Sequence, residues 1–401
     1  MNEDDAKKPT RIFGLSRNVL SMGIVSFLND LSSDMIFPFI PIFLTSVLGA
    51  SVAFVGLVEG IADSSASILK IVSGRLSDRV TRRKPFVVFG YSFSALAKPL
   101  LAVAQAPWHV LGVRFLDRVG KGMRDAPRDA LISFSVKKEA TGRAFGFHRG
   151  ADTFGAALGP VIAFFLLPLL HNNLRLLFLF SFAASFLAVA ILAVLVKEVR
   201  RPDTNGKNAM PDFNLKNLGT PFIIFLVAAT ILSLGRSSEA FLLLRASGIG
   251  IALALLPIIY FVYNITFALL STPAGMLSDR IGHRNTFMIG ILMFAATYVL
   301  FARISSAALI WFLFALFGVV SALTEGVGRA IVADLVEPDM RATAYGVYSA
   351  FTGLALLPAS VIFGALWEKF GPSASFYYGA LLGLIALGVF IVLRIRSAFS
   401  V

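Results

Sequence analysis

Residues Ser73–Pro85 read SGRLSDRVTRRKP: five cationic side chains (Arg75, Arg79, Arg82, Arg83, Lys84), one acid (Asp78) and one glycine (Gly74) between two long apolar runs. A paler copy, AGMLSDRIGHRNT, runs from Ala274 to Thr286. Gly275 follows Gly74 by 201 positions, and the same offset lays GRAIVA (Gly328–Ala333) over PRDALI (Pro127–Ile132). A phrase that returns in register marks an internal duplication, so the chain reads as two halves related by an axis along the normal of a membrane.

The membrane follows from composition. The 401 residues are 57% hydrophobic and 15% charged, with a mean hydropathy of +0.80, against roughly 25% charged residues in a soluble domain. A spanning helix needs about 20 mostly apolar residues. That ruler finds twelve, centred near Ser32, Ser64, Ala95, Val119, Gly155, Ser185, Leu232, Tyr263, Leu292, Val320, Gly353 and Ile385. Runs such as FLFSFAASFLAVAILAVLV lack the period of two that barrel strands require. The expected fold is therefore an all-α membrane protein of 12 transmembrane helices in two pseudo-symmetric six-helix bundles. Pro38, Pro41, Pro257 and Pro358 mark expected kinks. The first apolar stretch, from Val19 to Gly49, is much longer than a signal-peptide core and lacks a small-residue cleavage site, so it is expected to be retained.

Lys7, Lys8, Arg11 and Arg17 precede the first span, and basic clusters follow spans two, four and six. The intervening connections are nearly bare: TSVLGAS and AQAPWH contain no lysine or arginine. Cationic segments resist export, so both termini are expected on the cytoplasmic side, in a bacterial inner membrane. The polar stretch near 196–219 divides six spans from six. The expected division is a tail (1–16), an N-terminal bundle (17–196), a linker (197–218), a C-terminal bundle (219–396) and a short tail (397–401). The net charge of +13 lies in short clusters between spans, where it orients the chain and meets anionic headgroups, so nucleic acid is not an expected partner. No cysteine is present and four scattered histidines have no ligand spacing, so no metal site is expected.

GRLSDRVTRRK resembles the G-x-L-x-D-R-x-G-R-R/K loop between spans two and three of the major facilitator superfamily, and the resemblance extends over nearly the whole chain. Thr81 replaces the loop's usual glycine; Gly282 keeps it in the second copy. The resemblance implies a cytoplasmic gate built on Gly74, Asp78, Arg79 and Arg82 and on Gly275, Asp279, Arg280 and Arg284. Asp78 would meet the start of span eleven, near Arg341–Ala344, and Asp279 the start of span five, near Arg143. A carboxylate at a helix N-terminus accepts from its free N–H groups and meets its positive dipole end.

Span four carries Arg114, Asp117, Arg118 and Lys121, at about 0°, 300°, 40° and 340° around a helix turning roughly 100° per residue, hence on one face. Span two places Glu59, Asp63, Ser67 and Lys70 in a comparable arc, and span one adds Asp30 and Asp34. Each charge near the bilayer centre costs about 2.5–3.5 kcal/mol. Four on span four cost on the order of 10–14 kcal/mol, so that face is expected to meet a polar cavity between the halves rather than lipid. With Lys98, five acids (Asp30, Asp34, Glu59, Asp63, Asp117) stand against five bases in the first half. They form either a paired structural network or, in part, a site for substrate and protons. The second half offers Arg236, Glu239, Glu325 and Arg329.

No G-x-x-x-x-G-K-[ST] loop appears, so no cofactor is expected and a proton gradient is the expected driving force. A carboxylate beside a guanidinium can alternate between ion-paired and protonated forms; Asp34, Glu59 and Asp63 are the candidates. RFLDRVGKG resembles the superfamily's span-four motif R-x-L-Q-G-x-G, with Arg114 as its arginine and Arg118 where the first glycine stands. GAALGP (Gly155, Gly159, Pro160) resembles the span-five antiporter motif of drug exporters; plain helix packing is its other reading. His148, Arg149 and Asp152, just before it, form either a cytoplasmic-side gate or a simple ion pair. The expected function is alternating-access transport of a small organic solute by a monomer, by proton-coupled export. The alternatives are proton-coupled uptake of an organic anion or siderophore and, more remotely, a non-transporting receptor. An enzyme is not expected, since no reactive set of side chains is visible.

Overall fold

The computed structural model describes residues 16–79, 82–136, 141–199, 218–337 and 340–398. Among them there are helices and no strands. Each of the twelve expected centres lies in a helix. These are α1 (Arg17–Ile36), α2 (Val52–Arg79), α3 (Lys84–Ala102), α4 (Pro107–Phe134), α5 (Thr141–Leu169), α6 (Leu174–Leu195), α7 in two parts, α7a (Thr220–Gly235) and α7b (Glu239–Gly248), α8 (Leu256–Ile281), α9 (His283–Arg303), α10 (Ala307–Leu335), α11 (Arg341–Phe370) and α12 (Pro372–Ala398).

By length and apolarity, 11 spans qualify among the described residues. The exception is α4, whose 28 residues carry both signs of charge along their length, from Arg114 to Asp129. Only burial against other helices lets such a segment cross hydrocarbon.

Proline acts differently at different sites. After α1 the span continues through a 3-10 turn (Phe37–Phe39), a helical turn (Ile40–Ile42) and a π turn (Phe43–Val47), so Pro38 and Pro41 do interrupt it. Pro358 lies inside α11. Pro257 kinks nothing: it sits in the first turn of α8, where its missing N–H would have no intrahelical partner in any case.

Backbone packing groups the chain into two compact units. The first holds described residues of 16–36, 69–103 and 116–199; the second holds 37–68, 104–115 and those from 218 onward. In the first, α1 packs on α5 and α6, and α3 on α6. In the second, α7 packs on α11 and α12, and α9 on α12. The second scheme is the first advanced by six helices, the tertiary form of the duplicated phrase.

The core of the first unit gathers Val19, Met22, Tyr91, Ile132 and Leu192; that of the second gathers Phe222, Phe225, Phe287, Ile331 and Phe390. Large apolar side chains such as Leu96, Phe165, Phe186, Leu269 and Phe312 point outward, as a lipid-facing surface permits.

Candidate functional site

The second unit contains two arginine–carboxylate pairs inside the membrane-spanning region. Arg114 of α4 meets Glu59 of α2 in a bidentate pair, Nη2 to Oε2 at 2.7 Å and Nε to Oε1 at 3.2 Å. Glu59 is 1% exposed and Arg114 5%. The planar guanidinium fits a carboxylate edge to edge, which is why arginine holds this place rather than lysine. Ser238 Oγ donates to Glu59 Oε2 at 3.5 Å, joining the pair to the gap in α7.

That gap is the feature the sequence reading missed. Span seven unwinds over Arg236–Ser238, and α7b restarts with Ser238 as its cap, Oγ accepting from Ala240 N at 3.3 Å. The signal was present: Gly235 stops one helix, and Ser238 followed by Glu239 starts another. Discontinuous helices at membrane depth are tolerated where protein or a polar cavity receives the freed backbone groups, and they mark binding sites.

Arg236, on the gap, forms the second pair. Its Nη2 reaches Glu325 Oε1 at 2.8 Å, Ser321 Oγ at 3.2 Å and Glu239 Oε1 at 3.5 Å. A chain of rings runs from one arginine to the other. Arg114 lies over Phe37 at 5.6 Å; Phe37 meets Tyr260 at 5.2 Å, Tyr260 meets Tyr263 at 5.8 Å, Tyr263 meets Phe317 at 5.4 Å, and Arg236 lies over Phe317 at 5.4 Å. Charged ends with an aromatic wall between them suit a small amphipathic solute. None of these rings was legible as a site residue, because phenylalanine is spread throughout the apolar spans.

The remaining candidates are distributed over both units. Asp117 accepts from Ser94 of α3. Asp30 accepts from its neighbour Asn29 at 3.0 Å. Lys98, 2% exposed, donates to Ser32 Oγ at 2.7 Å. Asp34, Asp63 and Arg118 are half-buried, each with a partner, whereas Lys121 is exposed. His148 Nδ1 and Arg149 Nη1 both approach Asp152 Oδ2, at 3.5 and 3.9 Å. Arg329 is exposed.

The surroundings of Gly74 and the side chains of Asp78, Arg79 and Arg143 lie outside the described residues, and with them both expected gate contacts, that of Asp78 with the start of span eleven and that of Asp279 with the start of span five near Arg143. Arg82 is exposed, while Arg83 is buried beneath the Phe134 ring at 4.8 Å. Glu198 accepts from the N–H groups of Arg83 and Lys84, both at 3.0 Å, and so caps α3. In the second copy, Asp279 meets His283 Nε2 of its own loop at 3.3 Å, and His283 Nδ1 meets Asp334 Oδ2 at 2.7 Å. Gly275 borders a cleft of about 230 Å³ beside them, Arg280 is exposed, and Arg284 is half-buried.

In α5, a Cβ on Gly155 would overlap Phe27 O, and one on Gly159 would overlap Leu31 O. The two glycines bring the α5 and α1 backbones together, which is the packing reading of GAALGP. Pro160 lies buried inside α5.

The sequence pattern of the Major Facilitator Superfamily matches residues 22–244 and again 222–399. The chain belongs to that superfamily. An uncharacterized MFS-type transporter of Methanocaldococcus jannaschii is 38% identical over 93% of this chain and 94% of its own. Multidrug resistance protein MdtH of Salmonella paratyphi B is 25% identical over 83% and 82%. Among solved structures, the nucleoside transporter NupG superposes with a TM-score of 0.78 at 16% identity, covering 94% of this chain and 98% of that one. A POT family transporter in complex with 5-aminolevulinic acid gives 0.79 at 13%, covering 97% and 98%. These two show the major facilitator fold. The protein is a multi-pass membrane transporter of that fold.

Proposed function

We propose that the protein exports a small amphipathic organic solute in exchange for protons, by alternating access of its two halves (17–196 and 219–396), in a bacterial inner membrane with both termini cytoplasmic. The observation that carries this reading is the buried Glu59–Arg114 pair at the unwound segment of α7. A carboxylate held by a guanidinium stays ionised. A solute's cationic group that takes the Glu59 carboxylate keeps the proton off it, and a proton that takes the carboxylate releases the solute. Solute and proton then occupy the site by turns. The aromatic line from Phe37 to Phe317 supplies the apolar contact, and Arg236 with Glu239 and Glu325 the second polar end. Export is supported by the name of the MdtH relatives, which describes resistance to drugs. The chain works without a bound cofactor and catalyses no bond chemistry.

The alternative, uptake of an organic anion, draws on the two arginines that border the aromatic line. A panel of labelled cationic, anionic and neutral aromatic compounds, followed for uptake and efflux in cells with and without the protein at two external pH values, decides between them. Export predicts lower accumulation of at least one compound in cells with the protein, an effect that weakens when the pH gradient is collapsed. Higher accumulation of an anion overturns export in favour of uptake. Unchanged accumulation of every compound overturns both.

A further inference from the structure

The first unit contains a second set of buried ionisable groups that the Glu59–Arg114 site does not use. Asn29 (α1), Tyr91 (α3), Arg124 (α4), His148 and Asp152 (both α5) are each more than nine-tenths buried. Arg124 stacks over the Tyr91 ring at 4.2 Å. His148 Nδ1 approaches Asp152 Oδ2 at 3.5 Å, and Asp30 lies within electrostatic reach of Asp152, Lys121 and Arg124.

Six polar atoms of this set have no hydrogen-bond partner among the described residues: Asn29 Oδ1, Tyr91 Oη, Arg124 Nε and Nη1, His148 Nε2 and Asp152 Oδ1. Leaving each of them bare costs about 1–3 kcal/mol, and so many in one place point to something that answers them. They are mixed in kind. The arginine nitrogens only donate, the asparagine and aspartate oxygens only accept, and the tyrosine hydroxyl and histidine Nε2 can do either. An anion would need donors alone, and a metal ion acceptors alone. Water offers both, and it occupies buried polar sites of this kind.

We infer that the chamber between α1, α3, α4 and α5 is a hydrated proton-binding site, in which ordered water links Arg124, Tyr91 and Asn29 to Asp30, His148 and Asp152, and these last three pass one proton among them. The proton moves from a water oxygen to a carboxylate or imidazole nitrogen, and leaves by the same route, so no other reactant is required. The charged and titratable groups around the chamber are Asp30 and Asp34 from α1, Tyr91 and Lys98 from α3, Asp117, Lys121, Arg124, Asp125, Arg128 and Asp129 from α4, and Arg149 from α5 beside His148 and Asp152. Arg128 is held by Asp125 at 3.5 Å and Asp129 at 2.9 Å. Arg124 Nε lies 4.0 Å from Asp125 Oδ1, beyond hydrogen-bond reach, so Arg124 Nε and Nη1 have no hydrogen-bond acceptor among the described residues. Service as a second proton carrier in coupling, beside Glu59, rests on the transport reading above; the binding of water and a proton does not.

Infrared difference spectra of the full-length chain in lipid nanodiscs, acidic minus neutral, test the site directly. The expected result is the carbonyl band of a protonated carboxyl that is lost in Asp30→Asn or Asp152→Asn, kept in Glu59→Gln, and moved in its pH midpoint by His148→Asn and by Arg124→Gln. The last two variants keep both carboxyls, so the test survives if an Asn variant fails to fold. A band unchanged in all four chamber variants overturns the site. A second measurement uses proteoliposomes containing a pH-sensitive dye and a solute found by the panel above. Asp152→Asn should lose solute-driven proton movement while still exchanging labelled for unlabelled solute. Loss of neither, or of both together, overturns the coupling role. A wild-type chain that moves no solute yet keeps the band overturns the transport reading and leaves the site standing.

Discussion

At the scale of single residues, the Glu59–Arg114 pair has the highest stakes, because removing one partner strands the other in a place without water. Breaking such a pair costs about 3–5 kcal/mol. Arg114→Ala should therefore lower the melting temperature in detergent and abolish transport. Glu59→Gln keeps a hydrogen bond to the guanidinium and should fold, yet lose flux driven by a pH gradient while retaining solute exchange. A double variant, Glu59→Arg with Arg114→Glu, should recover stability over either single change. Normal gradient-driven flux in Glu59→Gln would show that this carboxylate does not carry the coupling. Glu198 is a residue of the opposite sort: it touches no part of the site, yet it caps α3 through two N–H groups. Glu198→Ala is expected to cost about 0.5–2 kcal/mol, seen as a lower melting temperature with no change in solute preference.

At the scale of elements, two places depend on backbone geometry more than on side-chain chemistry. The first is the α1–α5 contact. Gly155→Leu or Gly159→Leu has no room against Phe27 and Leu31, so these variants should express poorly and elute as aggregates, whereas Gly146→Ala, which meets nothing within 4 Å, should be neutral. The second is the gap in α7. Ser238→Ala removes the cap of α7b and the donor to Glu59 together, for an expected loss of about 0.5–2 kcal/mol and weakened solute binding by equilibrium titration. The same variant with unchanged affinity would detach the gap from the site. The GAALGP motif was legible in sequence as small residues at helical spacing, and the structure supplies what they face. The α7 gap was also written in the chain, as a glycine stop and a serine start, but a sixteen-residue helix and a ten-residue one add up to a normal span, and hydropathy reads them as one.

At the scale of the whole molecule, α2 and α11 are closed tightly on each other within the second unit. Ser64 Oγ donates to Gly353 O at 3.0 Å, Ala53 N donates to a Glu368 carboxylate oxygen at 3.1 Å, and a Cβ on Gly56 or Gly60 would strike Ser360 or Leu357. Alternating access requires such a seam to open and close. The chain has no cysteine, so Ser64→Cys provides a single reporter. It should react slowly with a water-soluble maleimide, and much faster when Gly60→Phe wedges the seam apart. Equal rates in the two backgrounds would show that the seam does not gate water.

The sequence by itself determined the twelve spans, the duplication and the cost of the charged face of α4, because length, hydropathy and a repeated phrase are properties of local chain composition that lipid enforces directly. Only tertiary structure decided which group meets which: Arg114 with Glu59, Asp117 with Ser94, Arg236 with Glu325, and Arg124 with the Tyr91 ring. One helical face lets a side chain reach several neighbours, and the choice among them is made by how the helices are rotated and how closely their glycines let them approach. The aromatic line between the two arginines was invisible for the same reason, since rings from the first, eighth and tenth spans become a wall only when distant segments come into contact.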